Sequence, residues 1–226
     1  ICRGYMAYTG VLGHEFVGVV EQMADDCNDR AKKLVGQRVV GSINCVCGKC
    51  DMCTSGLSNH CRGRTVLGIA GRDGCFAERF TLPAKNLYAV PAGVDDDQAV
   101  FTEPLAAACE ARQQLHVEGK PYITILGDGR LGLLVAQVMA KLNASVRVIG
   151  KHPEKLEKCA KWGIQHRLLG DISMRKDQDV VVDCTGSAEG LATAMQMVRP
   201  RGKIVLKTTV AGQKGVDVSP LVVDEI

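Results

Sequence analysis

The sequence has few aromatic residues. Phenylalanine, tryptophan and tyrosine together make up 4% of the 226 residues, whereas apolar residues of all types make up 46%. Its core must therefore be built mainly from aliphatic side chains, as is typical of α/β proteins, whose buried parallel strands are rich in Val, Ile and Leu. A chain of this length is sufficient for one large domain or two smaller ones.

Blocks of like charge and long apolar runs are also absent. The formal net charge is only +3, and because nucleic-acid-binding proteins usually show clustered Lys and Arg, we expect no nucleic-acid partner. No apolar run approaches the roughly 18 residues that span a bilayer, and no signal-peptide pattern stands at the start, so we expect no membrane association. The chain begins at Ile1 rather than Met, which suggests that N-terminal residues of the natural protein are missing.

Cysteine, in contrast, is abundant. The chain has 11 cysteines, an odd number, and five of them fall within residues 45–61. Disulfide frameworks belong mainly to small secreted domains with weak cores, and this chain is neither small nor poor in core residues. The cysteines therefore indicate a metal site in a reducing compartment, and we expect a cytoplasmic protein.

The two halves of the chain differ in pattern. Residues 1–95 are predicted to form a β-rich domain with glycine turns and a cysteine-rich lobe at residues 45–61. Its predicted strands, chosen by β-branched content and bounding turn residues, are Phe16–Val20, Arg38–Ile43, Phe76–Leu82 and Leu87–Val90.

Residues 96–226 alternate between strand and helix patterns. A helix is predicted to open at Asp95–Ala99 and to continue through Leu105–Leu115. The strands predicted after it are Tyr122–Leu126, Ser145–Ile149, Asp179–Val182 and Lys203–Lys207, and the helices are Arg130–Leu142, Pro153–Trp162 and Ala188–Val198. This alternation predicts βαβ units in a doubly wound parallel sheet. The chain stops at Ile226 after roughly five of six strands, so we expect this domain to be incomplete.

A glycine-rich turn, Gly127-Asp128-Gly129-Arg130-Leu131-Gly132, follows an apolar strand and opens a helix. In this context G-x-G-x-x-G predicts dinucleotide binding. The first glycine allows the tight turn, the second lets the backbone approach a pyrophosphate, and the third lets the helix pack on the strand. The helix N-terminus then offers unpaired N–H groups to the phosphates.

The next strand ends in Gly150 where NAD-binding proteins usually carry an acid for the ribose hydroxyls. Gly150 removes a charge that would repel a 2′-phosphate, and Lys151 and His152 could attract it. The sequence therefore favours NADP over NAD, and Gly150→Asp is expected to reverse the order. The alternative is that Lys151 is an ordinary solvated lysine.

The cysteine-rich lobe contains Cys47, Cys50, Cys53 and Cys61 in the pattern C-x2-C-x2-C-x7-C. Four thiolates at such spacing predict a tetrahedral zinc site that is structural, because four protein ligands leave no open position. Cys45 and His60 are rivals for a ligand place, although the spacing of Cys47 and Cys50 makes Cys45 the more natural spare.

Several motifs occur together in an order that resembles the zinc-containing medium-chain dehydrogenases, with the greatest similarity to the threonine-dehydrogenase-like branch. They are Gly13-His14-Glu15-Phe16-Val17-Gly18, the four-cysteine lobe, Glu103-Pro104-Leu105, the glycine-rich turn and Asp183-Cys184-Thr185-Gly186. The resemblance implies a GroES-like first domain, a Rossmann-like second domain and a catalytic zinc between them. It also implies a dehydrogenase that moves hydride between a primary or secondary alcohol and NAD(P), and a homo-oligomer for the full-length protein.

The resemblance also implies the residues of each site. Cys2, His14 and Glu103 match the ligands of the catalytic zinc, and Glu15 could support or exchange with them. The residues expected to contact the cofactor are Gly127, Gly129, Leu131, Gly132, Gly150, Lys151, Thr185 and Gly186.

One departure from the family pattern keeps an alternative open. The family carries Thr or Ser two residues after the first zinc-binding cysteine, then Asp, whereas Cys2 is followed by Arg3-Gly4, and the proton relay is missing. The alternative is therefore a truncated, non-catalytic relative that binds zinc and nucleotide. A zinc-free quinone reductase of the same superfamily is disfavoured by the cysteine lobe and by Gly13-His14-Glu15.

Overall fold

The structure, a computed structural model, describes residues 7–116, 118–210 and 215–226. The chain separates into two units, residues 1–103 and residues 104–226. The predicted α/β architecture is confirmed, with a β-rich first unit and a doubly wound parallel sheet in the second. Within the described ranges, no helix is long and apolar enough to cross a membrane.

The first unit contains two small three-stranded sheets. One sheet joins β1 (Gly18–Val19), β2 (Arg38–Gly41) and β6 (Leu87–Ala89), all antiparallel, in the order β1-β2-β6. The other joins β3 (Asn44–Cys45), β4 (Thr65–Leu67) and β5 (Gly71–Arg72). The helices of this unit are short: α1 (Asp29–Lys32), α2 (Asp51–Thr54) and α3 (Asp96–Ala99).

The second unit is built on five parallel strands. They are β7 (Tyr122–Leu126), β8 (Ser145–Gly150), β9 (Gln165–Leu168), β10 (Gln178–Asp183) and β11 (Val198–Leu206). The helices are α4 (Thr102–Gln114, which begins in the first unit), α5 (Arg130–Met139), α6 (Pro153–Lys161), α7 (Gly190–Met197) and α8 (Ser219–Val223). The strand order is β11-β10-β7-β8-β9.

Both faces of this sheet are covered. Successive residues of a strand point to opposite faces, and accordingly Val180 and Val182 of β10 join one apolar cluster while Val181 joins another. The first cluster includes residues of α4, α5 and α6, and the second includes Ala194 and Met197 of α7. The central strands are buried on both sides, which explains their nearly continuous apolar sequence.

The order of the strands reverses direction at one point of the sheet. The chain runs from β7 outward through β8 to β9, and then crosses to β10 on the other side of β7. Ligands of open α/β sheets bind beyond the carboxyl ends of the strands at such a reversal. Here the reversal lies between β7, which leads into Gly127, and β10, which leads into Cys184.

Two element predictions differ most from the structure, and a third, the strand Lys203–Lys207, begins earlier than predicted, at Val198. Residues 76–82, predicted as a strand, contain no strand; only Gly74–Phe76 pair through their backbone with Val11–Gly13. The helix predicted to run from Asp95 through Leu115 is interrupted, because α3 ends at Ala99 and α4 begins at Thr102. The strand β9 was not predicted from the sequence.

Candidate metal and cofactor sites

The four cysteines of the lobe converge on one point. Their sulfur atoms all lie within 4.8 Å of one another, with 3.6 Å between Cys50 and Cys53 and 3.8 Å between Cys50 and Cys61. Sulfurs that surround a zinc ion tetrahedrally at about 2.3 Å are separated by about 3.8 Å. The described cysteines are all free of disulfides. The cluster therefore fits a structural zinc ion.

Backbone N–H groups prepare these sulfurs for metal binding. Hydrogen bonds from the backbone of Cys53 and then of Arg62 lower the pKa of Cys50 to about 6. The backbone N–H groups of Lys49 and Cys50 donate to the sulfur of Cys47 and lower its pKa. Burial and the neighbouring Cys50 sulfur raise the pKa of Cys53 to about 11. Two thiols of the cluster are thus biased toward the thiolate, the form that binds metal.

The local sequence explains the turn that brings Cys47 and Cys50 together. Gly48 has φ +78°, a backbone conformation that residues with a Cβ rarely adopt.

Cys45 and His60, the two alternative ligands considered from the sequence, lie outside the cluster. Cys45 is buried, with its sulfur 3.9 Å from the amide nitrogen of Asn86, and His60 lies in a 3₁₀ turn.

A second group of potential metal ligands consists of His14, Glu15 and Glu103. Their ligand atoms all lie within 4.8 Å of one another, His14 and Glu103 being half-buried and Glu15 exposed. An imidazole and two carboxylates suit zinc, and three protein ligands leave a coordination position open for substrate. Cys2, the ligand implied by the family resemblance, lies outside the described residues.

Glycines hold the segment that carries His14. Gly13 has φ +100°, and a Cβ there would lie 2.4 Å from the ring of Phe76. Gly74 donates to the carbonyl of Val11, and Cys75 donates to that of Gly13. A Cβ on Gly74 would lie 2.3 Å from the Gly13 carbonyl oxygen. His14 therefore follows a tightly packed turn.

Glu103 is placed by the start of α4. The hydroxyl of Thr102 donates to the Ala99 carbonyl at 2.7 Å, and Pro104 stands in the first turn, where a missing N–H removes no helix hydrogen bond. The chain Thr102-Glu103-Pro104 thus fixes the helix start and, with it, the position of the carboxylate.

The glycine-rich turn has the geometry that its pattern predicts. Gly127 has φ +106°, and a Cβ there would lie 2.7 Å from the Cys184 carbonyl oxygen. A Cβ on Gly132 would lie 2.1 Å from the Gly127 carbonyl oxygen, whereas nothing lies within 4 Å of one on Gly129. Gly127 and Gly132 therefore allow close packing, and Gly129, at the N-terminus of α5, leaves room for a ligand to approach the backbone.

The end of β10 borders the same turn. The buried carboxylate of Asp183 accepts hydrogen bonds from the Thr185 N–H at 2.9 Å, the Thr185 hydroxyl at 2.8 Å and the Thr208 hydroxyl at 2.9 Å. Thr185 and Gly186 are exposed beyond it. Burial, and then Asp183, raise the pKa of Cys184 to about 12, so its thiol is a poor nucleophile.

A carboxylate that sequence reasoning missed lies beside Gly150. Asp128, between two glycines of the turn, is buried and accepts hydrogen bonds from the Lys151 and His152 backbone N–H groups at 2.8 and 2.7 Å. A Cβ on Gly150 would lie 2.3 Å from its Oδ2. The exchange of cofactors by Gly150→Asp stays a prediction, and the structure adds to it that a side chain at residue 150 would collide with Asp128.

Comparison with known proteins gives matches to two family models. One, described as alcohol dehydrogenase GroES-like domain, covers residues 1–92, and the other, described as zinc-binding dehydrogenase, covers residues 131–226. A sorbitol dehydrogenase of Halalkalibacterium halodurans is 31% identical over 85% of this chain and 59% of its own length. An L-threonine 3-dehydrogenase of Streptomyces avermitilis is 32% identical over 87% of this chain and 59% of its own length. The chain thus spans less than two thirds of these curated relatives.

Solved structures give a similar result. A zinc-binding dehydrogenase of Sinorhizobium meliloti bound to NADP is 27% identical with a TM-score of 0.83, covering 97% of this chain and 68% of that chain. An alcohol dehydrogenase of Escherichia coli complexed with NADH is 27% identical with a TM-score of 0.84, covering 95% of this chain and 65% of that chain. The chain belongs to the zinc-containing medium-chain dehydrogenase family, in its threonine-dehydrogenase-like branch.

Proposed function

We propose that this chain is the zinc- and dinucleotide-binding part of a dehydrogenase that transfers hydride between a primary or secondary alcohol and a nicotinamide cofactor. The observation that carries the proposal is the grouping of His14, Glu15 and Glu103, in addition to the four-cysteine cluster. A structural zinc alone would need only the cysteines. A second set of mixed ligands indicates a second, catalytic zinc.

The chemistry follows from the ligands. A zinc ion bound there would act as a Lewis acid that favours the alkoxide form of the substrate alcohol. His14 and Glu103 are the proposed ligands with Cys2, and Glu15 is proposed to support or replace one of them. The turn at Gly127, Gly129, Leu131 and Gly132 is proposed to hold the cofactor pyrophosphate, with Thr185 and Gly186 beside it.

The zinc assignment can be tested by metal analysis of the purified chain. We expect two zinc ions per chain in the parent and turnover with a mixture of simple alcohols and polyols. His14→Ala should remove one zinc and all turnover while cofactor affinity stays within about twofold, because His14 is a zinc ligand and not part of the glycine-rich turn. Atomic emission and cofactor fluorescence titration provide the measurements.

His60→Ala is the matched control, because it removes an imidazole of the same unit that lies outside both ligand groups. It should retain both zinc ions. Unchanged zinc content in His14→Ala would show that His14 is not a zinc ligand. One zinc per chain in the parent, with cofactor binding but no turnover, would favour the non-catalytic alternative, which the replacement of the proton relay by Arg3-Gly4 motivates.

The cofactor is proposed to be NADP in preference to NAD. Gly150 carries no acid, the Asp128 carboxylate beside it is already engaged by two backbone N–H groups, and Lys151 is exposed. An ammonium can make a charge-assisted hydrogen bond to a 2′-phosphate. Lys151→Ala should therefore weaken NADPH binding about three- to tenfold and leave NADH binding unchanged.

Lys158→Ala serves as control, since Lys158 is an exposed lysine of α6 away from the strand end. It should leave both affinities unchanged. The NADPH advantage of the parent should shrink as salt rises, because exposed charge pairs are screened. Tighter NADH binding by the parent, or equal loss of both cofactors in Lys151→Ala, would contradict the assignment.

A further inference from the structure

The chain just before His14 is fastened by two side chains to a later segment of the first unit. Oδ1 of Asp73 accepts a hydrogen bond from the Val11 N–H at 3.0 Å. The Tyr8 hydroxyl lies 2.8 Å from the Arg72 carbonyl oxygen and 3.2 Å from the same Asp73 oxygen. A phenol donates a single proton, so the shorter contact, with Arg72, is its main hydrogen bond. The Tyr8 hydroxyl and the Asp73 carboxylate, together called the clamp, thus join segments more than 60 residues apart in the sequence.

A glycine leaves the space that the clamp occupies. Gly10 has φ +148°, and a Cβ there would lie 2.5 Å from the Tyr8 hydroxyl oxygen and 2.6 Å from Oδ1 of Asp73. Residues with a Cβ rarely adopt this backbone conformation, and both distances are too short for an ordinary contact. An alanine at residue 10 would displace Tyr8 or Asp73, so the clamp depends on a glycine at this position.

The backbone between the clamp and His14 is packed on two sides. The backbone N–H groups of residues 74–76 donate to the carbonyls of residues 11–13 at 2.7–2.9 Å. From another side, Gly68 approaches so closely that a Cβ there would lie 2.2 Å from the Gly13 carbonyl oxygen. Close-packed segments transmit strain, so a displacement of the chain at the clamp would also shift the imidazole of His14.

Such a shift matters because His14 and Glu103 are placed by different parts of the chain. Glu103 is fixed by the start of α4, whereas His14 depends on the turn before it. Zinc is bound at about 2.0–2.2 Å by nitrogen and oxygen ligands, so a small displacement of one ligand weakens the site. Residues that orient a ligand without contacting the metal commonly contribute about 10-fold or more to metal affinity.

Tyr8 contributes to the clamp as a hydrogen-bond donor. Burial, and then the hydrogen bond to Asp73, raise the pKa of the Tyr8 phenol. The phenol therefore keeps its proton at neutral pH and remains able to donate to the Arg72 carbonyl oxygen. Its role here is to hold the chain, and it does not replace the proton relay of the family pattern.

We propose that Tyr8 and Asp73 are positioning residues, which fasten the chain before His14 and so hold its imidazole in place for the catalytic zinc ion. This inference rests on the proposed function, because it requires a second zinc ion at the His14 group, which consists of His14, Glu15 and Glu103. Neither clamp residue belongs to that ligand group. Both act on the metal only through the intervening backbone.

Release of zinc from the intact chain into a chromogenic chelator tests this role. The parent should release two zinc ions in two phases, and the phase that His14→Ala abolishes belongs to the His14 group. In Asp73→Ala that phase should become about three- to tenfold faster, the factor that corresponds to one hydrogen bond of ordinary net strength. Tyr8→Phe, which removes only the hydroxyl, should change the rate in the same direction.

The zinc ion of the cysteine lobe provides an internal control, because both ligand groups lie in the first unit. A general loosening of that unit would speed the release of both ions, whereas loss of positioning should leave release from the lobe within about twofold of the parent rate. Asp73→Asn should restore the rate of the His14 group to within about twofold, since its amide oxygen can still accept from the Val11 N–H.

Asp26→Ala is the matched control variant. Asp26 is an exposed carboxylate in a turn of the same unit, and it has no hydrogen-bond partner in the part of the chain that the structure describes. Its loss should change neither phase of zinc release.

The outcomes separate this inference from the proposed function. An unchanged His14-group phase in Asp73→Ala and Tyr8→Phe would overturn the positioning role, and so would equal acceleration of both phases or a failure of Asp73→Asn to restore the rate. If Asp73→Ala does not fold, Tyr8→Phe decides alone, because it removes a single oxygen atom. A parent that holds only the lobe zinc would refute the proposed catalytic site, and this inference would fall with it.

Discussion

Gly129 and Gly132 lie three residues apart in the glycine-rich turn, yet a methyl group added to each would meet different surroundings. On Gly132 it would lie 2.1 Å from the Gly127 carbonyl oxygen, which belongs to the backbone and cannot move aside easily. On Gly129 it would meet nothing within 4 Å, in a backbone conformation that alanine adopts freely. Substitutions at the two positions therefore distinguish an effect on packing, at Gly132, from an effect on ligand binding, at Gly129.

Gly132→Ala should lower the free energy of unfolding by about 2–4 kcal/mol through overpacking. Within a helix, Gly→Ala usually raises the free energy of unfolding by about 1 kcal/mol, so the change expected here has the opposite sign. Gly129→Ala, the matched control, should change stability by less than about 0.5 kcal/mol but weaken both cofactors about tenfold, because its methyl group obstructs the approach to the helix N-terminus. Denaturant unfolding and fluorescence titration provide the two measurements. A stable Gly132→Ala, or unaffected cofactor binding in Gly129→Ala, would contradict these roles.

Asp128 shows what a sequence pattern omits about an individual residue. In G-x-G-x-x-G the second residue is free, so the pattern gives no reason to examine it. Its partners, Lys151 and His152, lie more than 20 residues away, at the end of another strand. The sequence shows a carboxylate in the turn and a glycine at that strand end. Only the structure shows that a side chain in place of the glycine would collide with the carboxylate.

The strands and helices predicted most accurately are those whose pattern of apolar residues results from burial. The strand Tyr122–Leu126 was predicted with the bounds that the structure has, and the helix Pro153–Lys161 ends one residue before its predicted end. The strand Gln165–Leu168 was missed because it is the edge strand of the sheet, half exposed, and carries Gln, His and Arg. An edge strand needs no apolar run, so its sequence resembles a loop.

The false strand at residues 76–82 has a different cause. Its apolar residues are placed by side-chain packing rather than by strand pairing: the ring of Phe80 packs edge-on against Phe16 with 4.8 Å between centroids, whereas Phe76 is 76% exposed. The β-branched content and bounding turn residues on which the prediction rested indicate a strand only if a partner strand is available. The only backbone pairing here involves Gly74–Phe76 with the segment before His14.

Across the whole molecule, buried apolar surface is distributed unequally. Both large apolar clusters consist of residues of the second unit, from Ala108 onward. In the described part of the first unit, the buried apolar residues are Val20, Val39, Val40, Cys45, Cys61, Val66, Leu67 and Ala99. Two of these are cysteines in or beside the lobe. If the lobe binds the proposed zinc ion, the stability of the first unit should therefore depend on that ion far more than the stability of the second unit does.

Cys50→Ser tests this difference in the intact chain. Loss of one thiolate should remove the lobe zinc, and because structural zinc contributes of order 10 kcal/mol in isolated zinc peptides, we expect the first unit to lose at least about 3 kcal/mol. The second unit contains no lobe residue and keeps its own clusters, so NADPH binding should persist. Hydrogen exchange by mass spectrometry, resolved by peptide, should show lost protection confined to residues before Glu103.

Cys27→Ser is the matched control, because it removes a thiol of the same unit outside the cluster, and it should leave zinc content and exchange unchanged. Full zinc content and unaltered exchange in Cys50→Ser would show that the four sulfurs do not form a structural metal site.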